Sequence, residues 1–253
     1  MDNQQQISQA QYKDKSEAYL NSQAHAQGIE FEKMRQCIQQ NQLKQILDLG
    51  CGGGHVSYQV ADLTETTIAY DVTAEMVDLV CNQAQQRGLS QIRGQQGAAE
   101  KLPFADHQFD CVISRYSAHH WQHVGQAMQE IYRVLKPRGK VIFVDIVSNC
   151  QPILDTFLQT IEMIRDPSHV RNYSVQEWIQ FAEYAGFGVE QIDKQSLKLD
   201  FKSWVERMQT PESHIKTIRQ LQNTVSNTVK DYFQIQADGS FQSDVLYLVL
   251  AKK

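Results

Sequence analysis

Residues 46–54, read as ILDLGCGGG, decide how this chain folds. Ile46, Leu47 and Leu49 make a short apolar run of strand length, glycines follow at 50, 52, 53 and 54, and His55 to Leu63 then has helical spacing. That order reads as a buried strand, a tight turn and a helix start. Glycine at 50 and 52 allows positive φ and leaves no Cβ between the turn and a ligand, while the helix start offers unpaired N–H groups. A glycine-rich turn without a ligand is the alternative, and it leaves the entropy cost of four glycines unexplained.

The spacing narrows the ligand. A dinucleotide fingerprint, G-x-G-x-x-G, needs glycine at position 55, where His55 stands. No G-K-[ST] follows the glycines, so a Walker loop is excluded too. What remains is D-x-G-x-G-x-G, with Asp48 two residues before Gly50. This resembles the first motif of class I S-adenosylmethionine (SAM)-dependent methyltransferases. The resemblance implies SAM as cofactor, lying against Gly50, Cys51, Gly52 and Gly54, with the acidic residue, here Asp48, receiving the ammonium end of its methionine moiety.

The chain has 253 residues, 42% of them hydrophobic, enough for one large domain or a domain with a lid. A net charge of -5 argues against a broad basic face for nucleic acid. Five cysteines, at 37, 51, 81, 111 and 150, form no C-x-x-C pair and read as reduced thiols of a cytoplasmic protein. No signal-peptide core or membrane-length apolar run appears, so a soluble protein is expected.

Residues 1–15 are polar and glutamine-rich with no apolar period, which predicts a disordered tail. Residues 16–40 place Tyr19, Ser22, His25 and Ala26 at helical spacing before Gly28, after which a second helix starts. By resemblance this segment is a helical lid over the cofactor, with Tyr19 and His25 at the pocket; the alternative is an ordinary surface helix. Residues 41–253 then form the methyltransferase domain. Thr67 to Tyr70 is a second strand ending on Asp71, 23 positions after Asp48, where a doubly wound fold brings a carboxylate to ribose hydroxyls. Val72 and Met76 fall against the adenine by resemblance, although Met76 alone would read as core. The helix from Ala74 to Arg87 stops at Gly88. Ile92 to Gln96 and Phe109 to Ser114 are the third and fourth strands. Between them the family carries an acidic residue after the glycine matching Gly97. Ala98 stands there instead, so either Glu100 or a backbone carbonyl serves the adenine amino group or the adenine is held more loosely, with the Ala99 N–H available to the ring.

The loop Arg115-Tyr116-Ser117-Ala118-His119-His120-Trp121 falls at the carboxyl edge of the sheet, where ligands of such folds bind. Adjacent histidines without a carboxylate at metal spacing do not predict a metal site. The loop lacks the [ND]-P-P-[YF] run of nucleobase amine methyltransferases and a Pro-Cys pair. His119 or His120 could act as a general base or merely shape the pocket. Helices are expected over Val124 to Leu135, Ile153 to Ile164 and after Ser174, whose capping-box partner is Glu177. The fifth strand lies in LKPRGKVIFVDIV, with Arg138 where the family has a glycine. Val189 to Leu199 and Val245 to Ala251 are strands six and seven, and a helical insertion at about 200–236, with helical stretches at Phe201 to Met208 and Glu212 to Phe233, separates them.

Together these features resemble the small-molecule branch of class I SAM-dependent methyltransferases, similar to quinone-biosynthesis methyltransferases. That implies an α/β fold, a doubly wound, mostly parallel seven-stranded Rossmann-like sheet with an antiparallel last strand. By resemblance Arg115, His119, His120, His169 and Arg171 are expected near the methyl group, favouring a small-molecule acceptor with an anionic or enolisable group; the alternative is that Arg115 faces solvent or pairs with a carboxylate such as Glu100 and that Arg171 only holds its loop. The competing readings are a SAM-binding sensor or assembly protein without turnover, and an RNA methyltransferase.

Overall fold

The computed structural model describes residues 3–12 and 28–253. After α1 (Asn3–Tyr12) and α2 (Ile29–Gln40) come β1 (Gln45–Leu49), α3 (His55–Val60), β2 (Thr66–Asp71), α4 (Ala74–Gln86), β3 (Ile92–Gln96), β4 (Phe109–Arg115), α5 (Val124–Val134) and β5 (Leu135–Val147). Then follow α6 (Pro152–Arg165), α7 (Val175–Ala185), β6 (Phe187–Leu199), α8 (Phe201–Arg207), α9 (Glu212–Thr224), α10 (Asn227–Phe233) and β7 (Phe241–Lys252). The strands form one sheet in the order β3-β2-β1-β4-β5-β7-β6. β7 runs antiparallel to both β5 and β6, and the pairings among β1 to β5 are parallel.

A parallel sheet must be covered on both faces, and the strand sequences show it. Along β5, Ile142, Val144 and Ile146 enter one apolar layer and Val141, Phe143 and Val147 the other. α2 serves the first layer with Phe31, Met34 and Ile38 at helical spacing, and α5 serves the second with Val124, Met128 and Ile131. The chain order reverses between β1 and β4, which opens a crevice at their carboxyl ends. The β1 turn, the end of β2 and the loop after β4 all lead into it.

Three local differences from the sequence reading have physical causes. Residues 3–12, expected within a disordered tail, are helical: Gln4 and Gln9 donate their amides to the carbonyls of Ser168 (2.8 Å) and Val72 (2.7 Å), so α1 docks through polar contacts rather than an apolar stripe. The insertion helix expected from Glu212 to Phe233 is two helices, broken at Val225 and Ser226, both of extended backbone. β7 begins at Phe241 rather than Val245, because its whole length pairs with β6 out to Leu199–Phe241. Tyr19 and His25, the proposed lid contacts, lie outside the described residues.

Candidate active site

Burial of β1 puts Asp48 at 1% exposure, in the wall of the crevice. Its Oδ2 accepts from the Ser57 hydroxyl at 2.6 Å and the Ser57 N–H at 3.0 Å. Burial still wins and pushes the Asp48 carboxyl up to about 7, against the pull of Ser57. The glycine turn is fastened to the end of β2. The N–H groups of Gly50 and Cys51 donate to the Tyr70 carbonyl (2.8 and 3.0 Å), and that of Gly52 to Asp71 Oδ2 (3.0 Å). These donors therefore shape the turn instead of facing a ligand. Gly50 has φ 75, and a Cβ there would collide with the Ser117 side chain. At Gly52, φ 48, an added Cβ would meet no atom within 4 Å, which leaves the backbone open to a ligand.

Asp71 ends β2 with its other oxygen accepting from the Thr73 N–H at 2.9 Å. Burial raises its pKa, opposed by the N–H groups of Thr73 and Gly52. Beyond it, Val72, Met76, Ala98, Ala99 and Glu100 line the same cleft, which encloses about 1060 Å³ including its open mouth. Glu100 Oε1 accepts from the N–H groups of Gln122 (3.0 Å) and His123 (3.3 Å). The Ala98 carbonyl accepts from the Tyr70 hydroxyl at 3.2 Å. Gln4, Gln5, Ser8 and Tyr12 of α1 close the cleft, a contribution invisible in a polar, non-periodic sequence.

Arg115 also lines the cleft, but its guanidinium is committed to Glu30 at the start of α2, at 2.7 Å, between the rings of Phe31 and Tyr116. Gly54, expected against the ligand, does not line the cleft. Its φ of 82 ends the turn, and a Cβ there would press on Tyr58 and Val80.

A second cavity, about 610 Å³ with its mouth, adjoins the first, and Tyr12, Tyr116 and His120 line both. His119 faces the second. Its Nδ1 lies 2.5 Å from Asp145 Oδ1, and Asp145 is itself held by the N–H groups of Ala118 and Ile146 at 2.9 Å each. Burial alone would lower the His119 pKa; the Asp145 carboxylate, with Glu162 and Asp166 behind it, outweighs burial and raises it. His120 is different. Its Nδ1 lies 3.1 Å from the Ser168 carbonyl and its Nε2 2.7 Å from the Tyr12 hydroxyl, so donation to Ser168 fixes the neutral tautomer that accepts from Tyr12. Burial and then the neighbouring His119 lower its pKa to about 4.

Two residues expected at the acceptor are elsewhere. Arg171 lines neither cavity, because Asp155 (3.2 Å) and Glu177 (3.3 Å) capture its guanidinium. His169 is buried behind His119 and bonded to Gln159 at 3.0 Å, lining neither cavity. Asp145, Ser57, Tyr12 and Asn172 were not singled out from the sequence. No local spacing marks them.

A seven-stranded sheet with one antiparallel strand, an acidic residue before a glycine turn and a second after β2 define the doubly wound, Rossmann-like α/β class. Comparison with known proteins makes it specific. The methyltransferase domain family matches residues 47–143. YafE of Escherichia coli (strain K12), an uncharacterized protein, is 45% identical over 197 residues, covering 78% of this chain and 95% of YafE. YcgJ of Bacillus subtilis (strain 168), an uncharacterized methyltransferase, is 34% identical over 220 residues, 87% of each chain. Its crystal structure matches with a TM-score of 0.82 at 33% identity, covering 88% of this chain and 98% of that one. The ubiquinone/menaquinone biosynthesis C-methyltransferase UbiE of Blochmanniella pennsylvanica is 34% identical over 104 residues, 40% of this chain and 41% of UbiE. The chain belongs to the methyltransferase family and is a SAM-dependent methyltransferase.

Proposed function

We propose that the protein methylates a small molecule held in the second cavity, with His119 accepting the proton that the acceptor gives up. One observation carries this reading: the cleft built on Asp48 and Asp71 and the cavity holding the His119–Asp145 pair share a wall made by Tyr12, Tyr116 and His120. A donor and an acceptor would meet there.

The cleft's residues fit SAM. Asp71 supplies a carboxylate for two ribose hydroxyls, Asp48 one for the methionine ammonium, and the open face of Gly52 the space between them. Val72 and Met76 would flank the adenine, the Ala99 N–H would serve its ring, and Glu100 would take the amino group in place of the acid that Ala98 replaces. Arg115, with Glu30, bounds the methionine end. Bound there, SAM supplies a sulfonium-activated methyl group, whose bond pair stays on sulfur as the acceptor atom forms the new bond. His119 is the better of the two bases. Asp145 takes its Nδ1, leaving Nε2 without a protein hydrogen bond among the described residues, while both nitrogens of His120 are engaged. Such a base contributes roughly 10²–10⁴-fold.

Calorimetry should show binding of SAM and S-adenosylhomocysteine but not of NAD, which His55 excludes from the turn. Incubation with labelled SAM and a metabolite extract should then yield S-adenosylhomocysteine together with a labelled small molecule. SAM binding without any turnover across such extracts would favour a sensor and reject the reading.

A further inference from the structure

Asn172 is 1% exposed and lines the second cavity, yet among the described residues its side-chain Nδ2 has no hydrogen-bond partner. The frame around it is rigid. Gln159 clamps its backbone twice, donating to the Asn172 carbonyl at 2.7 Å and accepting from its N–H at 3.0 Å. Just before it, the N–H groups of Val170 and Arg171 donate to the His119 carbonyl at 2.8 and 3.1 Å. Just after it, the Ser174–Glu177 capping box starts α7. A buried amide fixed without a partner is destabilising, and here it lines the same cavity as His119, whose Nε2 has no hydrogen bond among the described residues.

The rest of the cavity wall bears on what these two groups could hold. Ile146, Leu197, Leu199 and Trp204 supply apolar surface. Arg165 is neutralised by Glu162 at 3.1 Å, and Asp166 is bonded to Ser168. With Asp145 behind His119, three carboxylates stand against the guanidiniums of Arg165 and Arg207, so the cavity has no surplus positive charge for an anion.

We propose that the second cavity selects a neutral aromatic or enolic hydroxyl compound that carries a separate carbonyl oxygen. The hydroxyl faces His119 Nε2, and the carbonyl accepts from Asn172 Nδ2. Asn172 is thus a specificity-determining residue, and the inference rests on the second cavity being the acceptor site. A simple phenol would leave the Asn172 amide unsatisfied, and a simple ketone would offer His119 no proton.

The test uses the full-length protein saturated with S-adenosylhomocysteine, titrated calorimetrically with 2′-, 3′- and 4′-hydroxyacetophenone and, as one-group controls, phenol and acetophenone. At least one hydroxyacetophenone should bind about tenfold more tightly than either control, as satisfying a buried donor implies. In Asn172→Ala and Asn172→Leu that advantage should fall below about threefold, with phenol binding kept. Asn172→Leu should also melt no lower than the parent, since it replaces an unpartnered buried amide with a side chain of similar size. A merely structural amide would lower the melting temperature of both variants and leave the selectivity intact, which overturns the proposal. Equal binding of all five probes by a protein that does bind S-adenosylhomocysteine overturns it too, while the methyltransferase reading stands. A protein that does not bind S-adenosylhomocysteine refutes that reading, and this inference falls with it.

Discussion

Acidification should weaken SAM binding and strengthen the ligand-free fold through a single carboxyl group, Asp48. In the folded chain burial lifts this group from 3.8 to about 7 despite the two donors of Ser57. A methionine ammonium needs the ionised form. With a pKa near 7 the ionised fraction is roughly one half at pH 7, a tenth at pH 6 and a hundredth at pH 5. The apparent Kd for SAM should therefore rise about fivefold and then about fiftyfold across that range. SAM's own α-amino group, of ordinary pKa about 7.7–8.0, stays largely protonated throughout.

The stability of the free protein runs the other way. Because the folded pKa lies above the unfolded one, the contribution is fully present below the unfolded value of 3.8 and is lost as pH rises through 7. Going from pH 7 to 5 should restore about 2 kcal/mol from this group alone. Asp48→Asn isolates it, since the variant keeps the volume and cannot titrate. Calorimetric Kd values and urea midpoints at pH 7, 6 and 5, for parent and variant, read both trends. A parent whose SAM affinity is flat from pH 7 to 5, or whose slope equals that of Asp48→Asn, refutes the reasoning.

Asp71→Ala should weaken SAM binding at least tenfold with an unchanged circular-dichroism spectrum, since each charge-assisted ribose hydrogen bond contributes about 1.5–3 kcal/mol; unchanged calorimetric affinity would contradict it. Asp145→Asn should cut kcat by roughly 10²–10⁴-fold with little change in the KM for SAM. Because the Asp145 charge raises the His119 pKa, its loss should also move the rising limb of the pH–rate profile to lower pH, and a limb that stays put would rule His119 out as the base. Arg138 is exposed at φ 65, so Arg138→Gly should relieve left-handed strain of about 1–2 kcal/mol, less the added freedom of glycine of about 0.5–1 kcal/mol. A melting temperature below the parent's would show that the arginine side chain does something the turn needs.

The cofactor side was legible because its chemistry is written locally. Asp48 and the glycines share one turn, and Asp71 ends the next strand, so period and spacing place them with no knowledge of tertiary contacts. The second cavity was not legible for the opposite reason. His119 gains its orientation from Asp145 on β5, and Asn172 its isolation from Gln159 on α6, pairs that converge only when the sheet and its helices pack. Arg171 shows the same limit in reverse. Its position near the loop suggested a ligand for an anion, but Asp155 and Glu177, on α6 and α7, reach it first.

The N-terminal helix takes this furthest. A sequence of glutamines with no apolar period carries no signal for docking, since each amide can bond water as well as protein. What makes α1 part of the site is a set of fixed carbonyls: Val72 in the wall of the first cleft takes Gln9, while Ser168 takes Gln4. Tyr12, at its end, bonds His120 in the shared wall. Val72 lines the first cavity and His120 both, with the Ser168 carbonyl bonded behind His120, so α1 can seat only when the β2 end and the loop after α6 hold their positions. A polar helix is suited to that role: an apolar stripe would fasten it to one layer of the core, whereas separate hydrogen bonds tie it to Val72 on one side and to Ser168 and His120 on the other.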